Sequence, residues 1–231
     1  MNIFYIILHQ PLFNALIFIY NTFAFKDIGL AIIILTIIIK FIIYPLNTQA
    51  IKSQKKLTQL APQIKEIQEK YKNDKAAQGK ATMELYQKQG INPFGGCLPL
   101  LIQLPILIAL FRVFLAGFEP ETMQGLYSFV QNPGQINTLF LGFIDLASPF
   151  WLIAVLAGVL QFLQVKMTTP SVPKKQKDMA SLMQKQMQYF FPAFTITILF
   201  QLSSAIGLYW IITTVFTILQ QKIIFKKNGG N

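Results

Sequence analysis

The chain has 231 residues, of which 53% are hydrophobic and 13% are charged. This composition is too apolar for an ordinary soluble domain and indicates an integral membrane protein. The formal net charge of +11 does not point to nucleic acid, because the lysines cluster between apolar runs as the positive-inside rule predicts. One cysteine and one histidine exclude an intrachain disulfide and a multi-histidine metal site. We therefore expect no metal, no cofactor and no enzymatic activity.

Residues 1–27 form an apolar N-terminal segment that is interrupted by His9, Gln10 and Pro11. The segment has no basic n-region, so we expect no cleaved signal peptide. Pro11 suits the first turn of a helix, and residues 12–23 are predicted to form a helix in the membrane interface with its apolar face in lipid. An additional spanning helix is the alternative interpretation.

The first predicted span covers residues 28–50, and its apolar run 28–46 carries one charge, Lys40. Nineteen helical residues measure about 29 Å, the thickness of a bilayer's hydrocarbon core. Lys40 has two interpretations. Its long side chain could extend to the headgroups. Alternatively it lines a polar cavity, which is indicated by the helical face that it shares with Thr36, Tyr44 and Asn47.

The composition of residues 51–92 differs sharply from that of the apolar run before it, because positions 52–90 carry nine lysines and four acidic residues. The segment is therefore predicted to be cytoplasmic. Apolar residues at alternating spacings of three and four predict a coiled two-helix hairpin with its turn at residues 72–74 and its second helix at 75–89. Gly90 is expected to close that second helix.

The remaining chain alternates between apolar and polar segments. The second span is residues 93–116, followed by an outer loop, 117–148, that has no lysine or arginine. The third span is 149–167, the next cytoplasmic loop is 168–186, the fourth and fifth spans share 187–225, and residues 226–231 form a cytoplasmic tail. Five spans place the N-terminus outside and the C-terminus in the cytoplasm. Seventeen of the twenty basic residues then fall on the inside.

Polar residues within the spans are concentrated toward the cytoplasmic side. That half contains Lys40, the glutamines Gln161, Gln164 and Gln220, and the threonines Thr213, Thr214 and Thr217, while Gln103 lies near the midplane. This asymmetry predicts a hydrated pocket that is open to the cytoplasm and closed toward the outside. Polar residues near helix ends are common, so ordinary helix termini are the alternative.

Four ordered motifs carry a family resemblance: LTIIIKFIIYPLNTQA, LAPQIKEIQEKY, INPFGGCLPLLIQLPI and GLYWIITTVFTILQQ. In this order they resemble the short forms of the YidC/Oxa/Alb family of membrane protein insertases. The resemblance implies an all-α polytopic membrane protein with five transmembrane helices around a cytoplasm-open hydrophilic groove, plus a cytoplasmic helical hairpin. It also implies that a positive residue in the first span, here Lys40, attracts the nascent polypeptide. The family usually has arginine there. Thr36 lies one turn earlier, and Tyr209 and Trp210 match an aromatic pair of the last span.

The predicted function is that of an insertase that receives nascent polypeptides and releases their transmembrane segments into the lipid bilayer of the bacterial plasma (inner) membrane. Candidate partners are nascent membrane proteins, the lipid bilayer, the ribosome and the Sec translocon, with no direct nucleic-acid recognition. A small secondary transporter or channel is the alternative, but paired discontinuous helices and internal repeats, which would indicate one, are not found in the sequence. The predicted groove residues are Lys40, Thr36, Gln103, Gln161, Gln164, Tyr209, Trp210, Thr213 and Thr214.

Overall fold

A computed structural model describes residues 3–92, 98–115, 122–168 and 179–227. The beginnings of the predicted second span and outer loop, most of the predicted cytoplasmic loop and most of the tail lie outside these residues, as does Cys97. The described chain is mainly helical. Its α-helices are α1 (Gln10–Thr22), α2 (Ile28–Ile42), α3 (Tyr44–Lys70), α4 (Lys75–Lys88), α5 (Leu98–Leu115), α6 (Trp151–Thr168), α7 (Met179–Leu199) and α8 (Ser204–Lys227).

The N-terminal segment packs into the protein. A π-helical turn, Tyr5–His9, leads into α1, and Pro11 lies in the first turn of α1, as the sequence predicts. Leu16 and Ile17 of α1 are fully buried in a core that α1 shares with α2 and α5. The expectation that the apolar face of this helix lies in lipid is therefore wrong for most of that face. Phe18 and Phe23 remain exposed.

The predicted first span consists of two helices that meet at a sharp bend. α2 ends at Ile42 and α3 begins at Tyr44, and the angle between the two helices is 67°. Pro45 lies in the first turn of α3 and has no N–H to donate to the carbonyl of Phe41, so a continuous α-helix loses a hydrogen bond here. The segment predicted as one span, residues 28–50, is thus divided between two helices, and its role as a single span stays a prediction. Lys40 lies in the last turn of α2.

The basic segment forms a helical hairpin of α3 and α4. The Asp74 carboxylate accepts a hydrogen bond from the Ala77 backbone N–H at 2.9 Å and caps α4 at its N-terminus. Gly90 has φ +59°, and the flanking bonds from Gly90 N to Gln87 O and from Ile91 N to Tyr86 O form a Schellman C-cap. The predicted closing role of Gly90 is confirmed. No residue of α4 is fully buried.

α8 is the central helix of the bundle. It packs against α2 on one side and against α6 on another, and α7 packs against α6. Glycines permit two of these close approaches: a Cβ atom at Gly158 of α6 would overlap Ile196 of α7, and one at Gly207 of α8 would overlap Ile153 of α6.

Among the described residues, two helices, α6 and α8, are long and apolar enough to cross a membrane, and the bent α2–α3 pair is a third if it counts as one span. α5 and α7 contain shorter apolar stretches, Leu101–Phe114 and Gln188–Leu199. These features are those of an all-α membrane protein. The number of five spans stays a prediction.

The segment before α6 is folded back onto α1 and α2. It contains a 3-10 turn, Thr122–Gly125, and an antiparallel hairpin of β1 (Leu139–Phe140) and β2 (Ile144–Asp145), which the sequence analysis did not predict. Asn14 of α1 accepts a hydrogen bond from the Tyr127 N–H at 2.7 Å, and Asp27 at the start of α2 accepts one from the Leu141 N–H at 2.7 Å. Polar groups of α1 and of the start of α2 thus fix this loop in place.

Candidate functional site

Lys40 is the charged residue at the centre of the site. Its side chain is only 4% exposed, and Nζ donates a hydrogen bond to Oε1 of Gln103 at 3.1 Å. In the described part of the chain Gln103 is the only hydrogen-bond partner of the ammonium group. A buried charge is stable only where polar groups compensate for lost water. The direction of this bond, into the bundle, favours the cavity-lining interpretation over extension to the headgroups.

Gln103 joins Lys40 to Tyr209. The Gln103 side-chain amide donates through Nε2 to the hydroxyl of Tyr209, which is 2% exposed. Because an ammonium group can only donate, the amide oxygen must face Lys40 and the amide nitrogen must face Tyr209. The three residues come from α2, α5 and α8, so one polar chain connects three helices.

A second polar network lies between α6, α7 and α8. The Gln161 amide oxygen accepts two hydrogen bonds, from Thr195 Oγ1 at 2.7 Å and from Trp210 Nε1 at 3.0 Å. Gln161 and Thr195 are 8% and 5% exposed. The sequence analysis missed Thr195; its signal was a hydroxyl in an apolar run three residues after Pro192, a run that also contains Thr197.

The two networks lie on different sides of α8. Adjacent residues of an α-helix point about 100° apart, so Tyr209 and Trp210 cannot face the same neighbour. Tyr209 contacts the network of Lys40, and Trp210 contacts the network of Gln161. Sequence reasoning grouped these residues into one pocket, whereas the structure separates them into two networks that share the backbone of α8.

Thr36 and Thr214 satisfy their hydroxyl donors within their own helices. Thr36, which is 1% exposed, donates to the Ile32 carbonyl at 2.6 Å, and Thr214 donates to the Trp210 carbonyl at 2.8 Å. Such bonds leave the hydroxyl lone pairs available to a further donor. Both residues therefore add small polar surfaces one turn from a network residue.

The last two predicted residues lie at the margins of the networks. Thr213 is half-buried one turn after Tyr209 on α8, and its buried hydroxyl lies next to the Tyr209 hydroxyl. Gln164 is half-buried near the end of α6, and no hydrogen bond joins it to Gln161. Their place in a substrate site stays a prediction.

Gln220 fixes α8 to the bend between α2 and α3. Its side chain is 2% exposed, and Nε2 donates to the Tyr44 carbonyl at 3.1 Å and to Thr48 Oγ1 at 2.9 Å. Nearby on α8, the amide oxygens of Gln220 and Gln221 are buried without a hydrogen-bond partner among the described residues. The end of the bundle near the bend is therefore polar and incompletely satisfied.

The chemistry of the site is that of a cation with neutral polar neighbours. Within the described ranges no group of three His, Cys, Asp or Glu side chains could hold a metal ion. The polar groups offered by the two networks are an ammonium group, amides, hydroxyls and an indole N–H. Such a site is suited to bind anionic or polar groups by hydrogen bonds and charge.

Comparison with known proteins agrees with these features. A family model described as "60Kd inner membrane protein" matches residues 18–230. The chain is 37% identical over 203 residues to a protein of Fusobacterium nucleatum called membrane protein insertase YidC, covering 88% of each chain. It is also 37% identical over 222 residues to a membrane protein insertase YidC of Geobacter metallireducens. That match covers 95% of this chain and 37% of the relative, so the chain spans about a third of the longer protein.

The match covers most of the chain and includes all the residues of both polar networks. It supports an insertase rather than a transporter, a channel or a catalytic enzyme. The chain belongs to the 60Kd inner membrane protein family, the family of the YidC membrane protein insertases, and is a membrane protein insertase of the inner membrane.

Proposed function

We propose that the Lys40 network receives polar or acidic flanks of nascent membrane proteins in a groove that is open to the cytoplasm. Five spans surround the groove, with the N-terminus outside and the C-terminus in the cytoplasm. The apolar segment of the substrate then leaves sideways into the bilayer, driven by its own hydrophobic transfer free energy. No nucleotide or cofactor takes part in this step.

The observation that carries this proposal is the pairing of a buried ammonium group with a neutral amide. Among the described residues Lys40 is bound to the Gln103 amide and not to a carboxylate. In that bond only the donor is charged, whereas a substrate carboxylate would add the attraction between two opposite charges. Gln103 is then a placeholder that keeps the charge satisfied until a substrate displaces it.

The energetic benefit follows from the cost of charge in lipid. A charged residue at the centre of a membrane helix costs about 2.5 to 3.5 kcal/mol on insertion scales. A polar groove that reaches half-way across the bilayer lowers this cost for a translocating flank. Lysine offers a compact charge without the planar fork of arginine, so we expect attraction to acidic groups with little geometric selectivity.

The hairpin of α3 and α4 acts as the receiving element of the groove. It carries nine of the twenty basic residues of the chain, and its α4 helix has no fully buried residue. Gln220 holds the start of α3 against α8. Further along α3, Thr58 Oγ1 donates to the Thr168 carbonyl at 3.2 Å, so movement of the hairpin begins beyond Thr58. The ribosome and the Sec translocon are candidate partners at this exposed basic surface.

The test is site-specific photo-crosslinking to ribosome-bound nascent chains in native membranes. A probe at Thr213 lies one turn from Tyr209 and leaves the bond between Lys40 and Gln103 intact, and a probe at Gln103 examines the network itself. The matched control is Leu156, which is 46% exposed on the outside of α6. We expect probes at Thr213 and Gln103 to crosslink to polar flanks. A probe at Leu156 should crosslink to apolar segments at most. Equal crosslinking of flanks at all three positions would contradict the groove.

A further inference from the structure

Large apolar side chains are exposed at two neighbouring turns near the start of α2. Phe23 and Phe25 belong to the turn between α1 and α2 and are 61% and 92% exposed. Leu141 and Phe143 form the tip of the β1–β2 hairpin and are 56% and 72% exposed. We call these four residues the aromatic tip.

Specific contacts hold the two turns together. One carboxylate oxygen of Asp27 accepts a hydrogen bond from the Leu30 N–H at 3.0 Å, and the other accepts from the Leu141 N–H at 2.7 Å. A Cβ atom at Gly29 would overlap the ring of Phe140, so the hairpin lies directly against the first turn of α2. The exposed tip is thus presented by a fixed support.

The backbone at the tip is in an unfavourable conformation for these residue types. Phe25, Lys26 and Leu141 have φ values of 51°, 60° and 52°, and they are the only non-glycine residues with positive φ in the described chain. Glycine or asparagine would adopt this conformation with less strain. Large apolar side chains nevertheless occupy two of these three strained positions. This indicates that the side chains serve a function at these turns.

The residues around the aromatic tip indicate that the tip contacts lipid. The Phe18 ring contacts the Phe23 ring at 6.2 Å between centroids, so the aromatic tip continues the exposed apolar face of α1. Trp151 begins α6, a helix long and apolar enough to span, and is 59% exposed. Lys26 is exposed within the same turn and supplies a positive charge suited to lipid phosphates.

We propose that the aromatic tip inserts into the boundary between headgroups and acyl chains at the membrane face where α2 begins. Interfacial apolar groups of this kind lie about 5–10 Å below the headgroup surface. The hairpin would then act as an anchor that fixes the depth of α2 and, through α2, the depth of Lys40. This inference concerns a surface away from the substrate site and goes beyond the proposed function.

The experiment measures the depth of a nitroxide label in vesicles of phosphatidylethanolamine and phosphatidylglycerol. Cys97 is replaced by alanine, and single cysteines are introduced at Phe143, at Phe25 and, as a control, at Gln135. Gln135 is an exposed polar residue of the same loop. Collision rates with oxygen, which concentrates in lipid, and with a water-soluble nickel chelate give the depth of each label.

We expect labels at Phe143 and Phe25 to lie about 5–10 Å below the phosphates and the label at Gln135 to be in water. Nickel accessibility at Phe143 and Phe25 equal to that at Gln135 would overturn the proposal. Low accessibility to both oxygen and nickel would also overturn it, because it would indicate burial against a protein partner. The readout needs no substrate, so its failure leaves the crosslinking test of the groove unaffected.

Discussion

Reversing the charge of Lys40 separates an electrostatic role from a merely polar one. The ammonium group is buried and bound to Gln103, whose amide can rotate to donate to a carboxylate instead. Lys40→Glu therefore keeps a hydrogen-bonded polar group at this position. It turns attraction for acidic substrate residues into repulsion. Lys40→Arg keeps the attraction, and Lys40→Ala removes it.

The magnitude follows from Coulomb's law. Two opposite unit charges 4 Å apart attract by about 1 kcal/mol in water and by about 4 kcal/mol at an effective dielectric constant of 20. Lys40 is 4% exposed, so its interaction with a bound carboxylate lies between these limits when the site is occupied. A change of about 1.4 kcal/mol corresponds to a factor of ten. We expect Lys40→Glu to slow insertion of an acidic tail by about tenfold or more.

The assay is protease protection of translocated tails in proteoliposomes, with two substrates of equal length that carry an acidic or a neutral tail. Lys40→Arg should insert both, Lys40→Ala should be intermediate for the acidic tail, and Lys40→Glu should be most impaired for it. Thermal unfolding of each variant controls for loss of the fold. Equal insertion of both tails by Lys40→Glu would refute the electrostatic reasoning. If Lys40→Leu inserts both tails as well as the parent protein, the interpretation that the Lys40 side chain only extends to the headgroups is supported instead.

Four further predictions concern stability and motion. Gln161→Leu leaves two donors, the buried Thr195 and the half-buried Trp210, without an acceptor and should destabilise the protein by about 1–3 kcal/mol in denaturation assays in detergent. Thr195→Val removes one hydrogen bond and should lower the stability of the protein by about 0.6–1.7 kcal/mol. A larger loss of stability than for Gln161→Leu would contradict the role of Gln161 as the shared acceptor. Asp27→Ala removes the cap of α2 and should cost about 0.5–2 kcal/mol, with faster amide exchange at Leu141, whereas unchanged exchange there would argue against the Asp27 bridge. Amides of α4 should exchange much faster than those of α6, because α4 has no fully buried residue, and equal protection would contradict a mobile hairpin.

Several features of this protein follow from local sequence alone. The apolar composition and the distribution of lysines identify a membrane protein, because transfer free energies act residue by residue. The turn of the hairpin and the limits of α4 were predicted within one or two residues, since Asp74 and Gly90 act through bonds to their nearest neighbours. The first helix of the hairpin, α3, begins at Tyr44, well before the predicted start of the hairpin at residue 51. The four motifs were sufficient to recognise the family, which the comparisons confirm.

Other features required the packing of distant segments. Helical periodicity places Thr36 and Lys40 on one face, but only the arrangement of α2, α5 and α8 brings Lys40 to Gln103, 63 positions away in the chain. The helical wheel of α8 likewise cannot say which neighbour each aromatic residue meets, so the division of Tyr209 and Trp210 between two networks was not predictable. The bend after Ile42 depends on Pro45 together with the contact of Gln220 to Tyr44.

The same distinction applies to the N-terminal segment and the aromatic tip. Composition shows that residues 12–23 are apolar, but an apolar face is equally stable against lipid and against protein. Whether it is buried is decided by which helices are available to cover it, and here α2 and α5 cover α1. The sequence thus determined that this chain is a membrane protein and where local helix limits fall. Tertiary contacts decided which apolar faces meet lipid and which polar groups meet one another.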